Sequence, residues 1–157
     1  MATRVLGLDR LKRKLRAFPK AVEAEIARAM ETSANEIVAM AKSLAPVDDG
    51  DLQMSIGWTW GDAPKGAIVL GKVKSAGRGA GNLQITVFAG GGDAFYARFV
   101  EFGTAPHTNA GMFAGSKHPG TAAQPFFYPA YRALRRRARG RVTRSVNKAA
   151  KRIAAGG

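Results

Sequence analysis

Apolar residues near the N-terminus recur every three or four positions, which is the spacing of an amphipathic helix. Leu8, Leu11, Leu15 and Phe18 follow this spacing and are directly followed by Pro19. Proline lacks the backbone N–H that a helix interior uses, and its ring crowds the preceding turn. We therefore expect a short basic helix that breaks at Pro19.

The clearest helical pattern covers residues 22–44. Its apolar and small side chains fall within an arc of about 100° on a helical wheel, and Glu23, Glu31 and Lys42 lie outside that arc. This spacing predicts one long amphipathic helix that ends near Ala45 and Pro46 and faces the core. The predicted core stripe is Val22, Ile26, Ala29, Met30, Ser33, Ile37, Met40 and Leu44.

The pattern then changes to the two-residue period of β-strands. Residues 53–60, QMSIGWTW, alternate strictly and predict a half-buried strand with Met54, Ile56, Trp58 and Trp60 on one face. Two further β-like runs, residues 66–74 and 82–90, flank the glycine-rich segment SAGRGAG. Strands joined by such a segment predict a long hairpin.

A short aromatic segment follows the triple glycine 90–92. Asp93 is placed to cap a helix from residue 94 to about residue 102. On that helix Phe95, Phe99 and Phe102 would pack inward, and Glu101 would form a salt-bridged polar edge with Arg98. A strand is the alternative, and it would align Glu101 with Phe95 and Phe99. Residues 104–124 show no period and predict a long loop.

The C-terminal part again has helical spacing, and it begins after Pro125. Its stripe occupies an arc of about 120° and consists mainly of small residues, so we expect its outer half to become ordered only against a partner. Gly140 should weaken this helix by about 1 kcal/mol relative to alanine. The stripe is Tyr131, Leu134, Ala138, Val142, Val146, Ala149 and Ile153.

Composition and charge divide these elements into three parts. The 157 residues carry a net charge of +14, and this charge lies almost entirely in residues 1–19 and 132–157. We therefore expect a basic N-terminal helical arm (1–19), a folded α+β body (20–131) and a basic C-terminal helix (132–157). With no cysteine, no signal-peptide core and no run of about 18 apolar residues, we expect a soluble protein that is not exported and has no disulfides.

The residues typical of enzymes do not form a recognisable set in this sequence. Glu101 and His107 could form an acid–base pair, but no nearby polar group would orient the imidazole. His107 and His118 lack the close spacing of zinc ligands, and Asp48, Asp49 and Asp51 do not match a calcium loop. Residues 111–117 do not match a phosphate loop. We therefore expect no enzymatic activity, no metal and no cofactor.

The basic C-terminal helix is the strongest candidate for contacts with an acidic partner, which could be DNA or protein. Because no aromatic residue follows Tyr131, any DNA contact should be independent of sequence. The cations expected to make these contacts are Arg132, Arg136, Arg137, Arg139, Arg141, Arg144, Lys148, Lys151 and Arg152.

Three short motifs in this order resemble the small neck proteins of long-tailed bacteriophages, which are head-to-tail joining and tail-completion proteins also found in prophages and gene transfer agents. The motifs are APVDDGDLQMSI (45–56), FYARFVEFGT (95–104) and QPFFYPAYR (124–132). Asp49 stands where the family usually has threonine or serine, so a capping oxygen is kept. The matching residues are Pro46, Gly50, Leu52, Tyr96, Ala97, Glu101, Gly103, Thr104, Pro125, Phe126, Pro129 and Ala130.

The resemblance covers nearly the whole chain and carries expectations about fold and function. The family also has a long N-terminal helix, a variable middle and a helix after its Pro-Phe motif. With the patterns above, we therefore expect an α+β domain with a long N-terminal helix, a small mainly antiparallel sheet, a short aromatic helix and a basic C-terminal helix. The resemblance also implies a non-enzymatic virion protein, assembled in the host cytoplasm as a homo-oligomeric ring where the portal meets the tail. Neighbouring neck, portal or tail proteins would be its partners. A non-specific nucleic-acid-binding protein is the alternative.

Overall fold

The computed structural model describes residues 8–74 and 84–155 and begins with a single long helix. Helix α1 runs from Leu8 to Leu44 without interruption, so the predicted break at Pro19 is wrong. Proline removes only one hydrogen bond from a helix, and the turns on both sides of residue 19 have helical backbone. The predicted end of the helix before Pro46 is confirmed, because Leu44 is its last residue.

The predicted core stripe of α1 is largely confirmed. Ile26, Met30 and Ile37 are buried in one apolar cluster, and Ala29 and Ser33 are buried too. Leu44 is exposed, because the helix ends there and the chain turns away. The long stripe therefore forms the central support on which the other elements pack.

The C-terminal helix α4, Phe127–Ala154, packs against α1 in antiparallel orientation. Ion pairs along the contact define this orientation: Arg152 meets Glu25 at 3.2 Å, and Arg137 meets Glu36 at 3.2 Å. Ala149 is buried and Tyr131, Leu134, Val142 and Val146 pack against the core. The expectation that the outer half of this stripe needs a partner molecule is therefore wrong, because α1 supplies the partner surface.

A three-stranded antiparallel sheet packs on α1. Its strands are β1 (Gly57–Trp60), β2 (Ile68–Lys74) and β3 (Gln84–Ala89), in the order β1-β3-β2. The predicted pairing of the second and third runs is confirmed by the β2–β3 register, in which Val69 lies opposite Phe88. The glycine-rich tip of that predicted hairpin lies outside the described residues.

The predicted strand at residues 53–60 is only half correct. Asp51–Met54 forms a short helix, α2, and the strand begins at Gly57. Gly50 has a φ of +88°, and Ser55 fixes the turn by donating a hydrogen bond to the Leu52 carbonyl and accepting one from the Gly90 N–H. As a result Ile56 is buried whereas Met54 points to solvent.

Helix α3, Ala97–Phe102, follows a single 3-10 turn at Gly92–Ala94. Asp93 lies inside that turn and caps neither element, so the predicted cap is wrong. The long loop 104–124 is an ordered lobe, in which His107–Thr108 (β4) pairs with Lys117–His118 (β5). The predicted α+β class is confirmed: a long first helix, a small antiparallel sheet, a short aromatic helix and a basic last helix.

Gly140 lies inside α4, and the space above it is used by another side chain. A Cβ atom at this position would lie 3.1 Å from an Arg144 Nη atom. Because the end of an arginine side chain moves easily, we expect Gly140→Ala to raise the free energy of unfolding by about 0.5–1 kcal/mol. Urea denaturation of the two proteins measures this difference. A Gly140→Ala variant that is less stable than the parent would show that the position of Arg144 is rigid.

Candidate functional site

Helix α3 has the opposite orientation to the predicted one. Phe95, Phe99 and Phe102 are 64%, 48% and 56% exposed, whereas Glu101 is only 2% exposed. The inward aromatic face, the Arg98–Glu101 pair and the strand alternative are therefore all wrong. The ion pairs found among the described residues do not include Arg98 with Glu101. The physical reason is that Glu101 has stronger partners inside the protein.

The Glu101 carboxylate accepts three backbone hydrogen bonds from the start of α4. Its Oε2 accepts the N–H of Phe126 at 2.8 Å and that of Phe127 at 2.9 Å. Its Oε1 accepts the N–H of Tyr128 at 3.0 Å. One side chain on α3 therefore holds the first turn of a helix that begins about 25 residues later in the chain.

These three N–H groups are the ones that a helix cannot satisfy by itself. The first four N–H groups of an α-helix have no carbonyl partner within the helix. In α4, Phe126 precedes the first helical residue, and the fourth position is Pro129, which has no N–H. Three donors therefore remain, and Glu101 accepts all three. Because Pro129 has no N–H, one carboxylate is enough to accept every unpaired donor at the start of α4.

Two physical effects stabilise the buried Glu101 carboxylate. Hydrogen bonds to a charged acceptor are about twice as strong as bonds between neutral groups. The positive end of the α4 dipole also favours a negative charge at this position. Both oxygens of Glu101 thus accept backbone hydrogen bonds, and the residue is almost completely shielded from solvent. The hypothesis of an acid–base pair with His107 has no support in this geometry.

The residues after Glu101 attach the lobe to the domain. Gly103 ends α3 with a φ of +70°, and a Cβ atom there would lie 2.6 Å from the Thr121 carbonyl oxygen. The N–H of Thr104 donates to the Thr121 carbonyl at 3.0 Å, and the reverse bond is 3.1 Å long. Only a residue without a side chain allows the two ends of the lobe to approach so closely.

The lobe itself, residues 104–121, is small and presents apolar residues to solvent. The rings of His107 and His118 stack with centroids 4.9 Å apart. Nδ1 of His107 bonds the Ala105 carbonyl, and Nδ1 of His118 accepts the Gly120 N–H. Met112 and Phe113 at the tip are exposed. Across the described residues, no group of three or more potential metal ligands is found.

The other motif residues lie at the junctions between elements. Leu52, Ala97, Phe126 and Ala130 are buried, and Tyr96 packs against the core. Pro46 and Gly50 lie in the turn between α1 and α2, and Pro125 and Pro129 flank the N–H groups that Glu101 accepts. The structure thus brings two of the three motifs, 95–104 and 124–132, into direct contact.

The predicted contact residues on α4 differ in whether they already pair with a glutamate of α1. Arg141 is partly buried and donates to Ser33 and Glu36, while Arg137 and Arg152 each pair with a glutamate of α1. These three cations are therefore engaged at the helix contact. The other six predicted contact residues are exposed and form no ion pair with another described residue: Arg132, Arg136, Arg139, Arg144, Lys148 and Lys151.

Sequence reasoning missed the capping role of Glu101 for a definable reason. A capping box is recognised by residues three positions apart, whereas this cap bridges α3 and α4. One signal was present, because no Ser, Thr, Asp or Asn precedes α4 at the position where such a residue normally caps a helix. A helix start without a local cap, next to two prolines, indicates that a distant side chain accepts its N–H groups.

We expect Glu101→Gln to lower the free energy of unfolding by about 2–4 kcal/mol, because an amide keeps one acceptor oxygen and turns an N–H donor toward buried donors. Chemical denaturation measures the loss. Asp48→Asn is the matched control, since it neutralises an exposed carboxylate and should change stability by less than about 0.5 kcal/mol. Equal stability of Glu101→Gln and the parent would contradict the capping role.

The chain matches a family of known proteins. No helix among the described residues is long and apolar enough to cross a membrane. Residues 9–103 match the family model HK97-gp10_like, described as "Bacteriophage HK97-gp10, putative tail-component". No match was found among curated proteins or among solved structures. The matched region covers more than half of the chain and includes α1, the sheet and α3 with Glu101. The protein therefore belongs to the HK97-gp10-like family of bacteriophage tail components.

Proposed function

We propose that this tail component is a non-enzymatic neck or tail-completion protein that assembles as a ring between the portal and the tail. Membership of the family supports a structural role in the virion. The finer assignment rests on the resemblance of the three motifs to neck proteins and on one feature of the surface. That feature is the aromatic face, which we define as Phe95, Phe99 and Phe102.

The aromatic face is the observation that best supports assembly. Phe99 and Phe102 lie on α3, Phe95 lies in the turn just before it, and all three rings are about half exposed or more. Aromatic residues are enriched in the buried centres of protein interfaces, where they contribute to the binding energy. Three exposed aromatic rings on and next to one short helix therefore favour a surface that another protein subunit covers.

The anchoring of α3 supports the same proposal. Glu101, on the opposite side of α3 from the aromatic face, is bonded to the first turn of α4. Phe102 also contacts the Tyr128 ring, with centroids 5.7 Å apart. The aromatic face is thus fixed before binding, and a preorganised surface loses less conformational entropy on association. A catalytic role for Glu101 would require a free carboxylate.

A second candidate function, non-specific nucleic-acid binding, is favoured by α4. This 28-residue helix contains no acidic residue, and its exposed cations extend over about 30 Å. The two functions are compatible, because a ring at the junction would surround the path of DNA. In either a phage or a gene transfer agent, the cations would meet DNA or an acidic neighbouring protein.

We expect native mass spectrometry of the purified protein, alone and with its neck and tail partners, to show a ring. Phe95→Ser with Phe99→Ser should shift the mass toward the monomer without unfolding the chain, because neither side chain is buried. Val47→Ser with Met54→Ser is the matched control, since it removes two exposed apolar side chains elsewhere and should leave the ring intact.

A strict monomer that joins no neck or tail particle would overturn the proposed function. If both double variants assembled like the parent, the ring would persist but the aromatic face would not be its interface. The two outcomes are distinguished in the same spectra.

A further inference from the structure

An open groove of about 290 Å³ lies between α1 and α4. Its α1 side carries Arg28 and Thr32, and its α4 side carries Arg144, Ser145 and Lys148. Cations from two helices therefore face a common space. Because α1 and α4 form the most extensive helix contact of the fold, the groove is part of the rigid frame.

Glu25 lines the groove, Glu36 lies next to it beside Arg141, and both carboxylates are already paired. Oε1 of Glu25 lies 3.2 Å from Nη1 of Arg152 and 3.8 Å from Nη1 of Arg28. Oε1 of Glu36 lies 3.2 Å from Nη2 of Arg137 and also forms an ion pair with Arg141. Each glutamate thus contacts two arginines, and the six cations in and next to the groove exceed the two carboxylates by four charges.

The positive charge in the middle of the groove has no counterpart. Among the described residues, neither Arg144 nor Lys148 forms an ion pair. The hydroxyl groups of Thr32 and Ser145 donate to carbonyls of their own helices, so they make the groove polar but add no charge. An anion entering here would meet the ammonium group of Lys148 and the guanidinium group of Arg144.

Gly140 contributes to this arrangement. The Arg144 guanidinium lies over the backbone of Gly140, in the space that a Cβ atom would enter. Arg144 and Lys148 are four residues apart on α4, so the two cations follow one another along the groove. Charges spread along a line suit an extended polyanion better than a single small ion.

We infer that this groove binds the phosphate backbone of double-stranded DNA. The inference deepens the proposed function, on which it rests for the presence of DNA, and it requires only one copy of the chain. Among the described residues that line the groove, Ala29 is the only apolar one. The surface therefore lacks the apolar anchors that a protein partner would need, whereas phosphate contacts are made mainly by Arg and Lys.

The continuity of charge along α4 also favours DNA. The unpaired cations of the groove continue along the same face of α4 to Lys151, three residues after Lys148. DNA presents phosphates at regular short intervals, and each neutralised phosphate releases bound counterions. A helix with no acidic residue along its length can follow such a backbone without local repulsion.

Fluorescence anisotropy of a labelled 20-base-pair duplex, titrated with the full chain at several salt concentrations, tests the inference. We expect Arg144→Gln with Lys148→Gln to weaken binding at least about 10-fold and to reduce the salt slope by about 2. Lys65→Gln with Lys117→Gln is the matched control, because it removes the same charge from exposed positions outside α1 and α4. It should weaken binding less than about 3-fold.

Equal losses in the two double variants would overturn the groove as the binding site, because total charge would then explain the binding. Binding of poly-L-glutamate but not of the duplex would overturn the DNA assignment in favour of an acidic protein segment. Circular dichroism of each variant confirms folding. Native mass spectrometry of the same samples reports ring assembly separately, so failure of DNA binding and failure of the proposed function are distinguishable.

Discussion

The hydrogen bonds between Glu101 and the first turn of α4 join two elements, α3 and α4, that are separated by the whole lobe in the chain. α3 is a helix of only six residues, too short to be stable alone in water. α4 begins without a local capping side chain and with three unpartnered N–H groups. The carboxylate removes both weaknesses at once, because it accepts the α4 donors and fixes the position of α3. The lobe beyond Gly103 and the aromatic face depend on that position.

The fold separates two surfaces of different chemistry. The aromatic face on α3 is apolar and suited to another protein subunit, whereas the groove between α1 and α4 is cationic and suited to a polyanion. Both are held by rigid elements, the first by Glu101 and the second by the antiparallel packing of two long helices. A structural component at a junction that DNA crosses would require both kinds of contact. The proposed neck role and the DNA inference therefore use different residues and can be tested independently.

The sequence predicted the elements better than it predicted their orientation. Periodicity located the long stripe of α1, the β2–β3 hairpin and the helix after Pro125, because each pattern is local and repeated. It failed at α3, where six residues contain too few turns to distinguish an inward aromatic face from an outward one. It also failed at Pro19, where proline predicts a helix break but the helical residues on both sides keep α1 continuous.

The candidate site was predictable in its residues but not in its geometry. Glu101, Gly103, Thr104 and Phe126 were all selected from short motifs, yet the motifs do not state which atoms meet. The contact of Glu101 with residues 126–128 arises only when the chain folds the lobe back, and the Thr104–Thr121 bridge makes that return possible. The covering of the α4 stripe by α1 was likewise a tertiary feature that no periodicity within α4 could indicate.

Hydrogen exchange of the Phe126, Phe127 and Tyr128 amides tests the central claim, that one buried carboxylate organises this site. If Glu101 accepts these three N–H groups, the amides should exchange as slowly as those of β3, whose bonds lie within the sheet. Their protection should be lost in Glu101→Gln while that of β3 persists under conditions where the variant remains folded. Exchange of the three amides at the rate of an unstructured peptide in the parent protein would contradict the account.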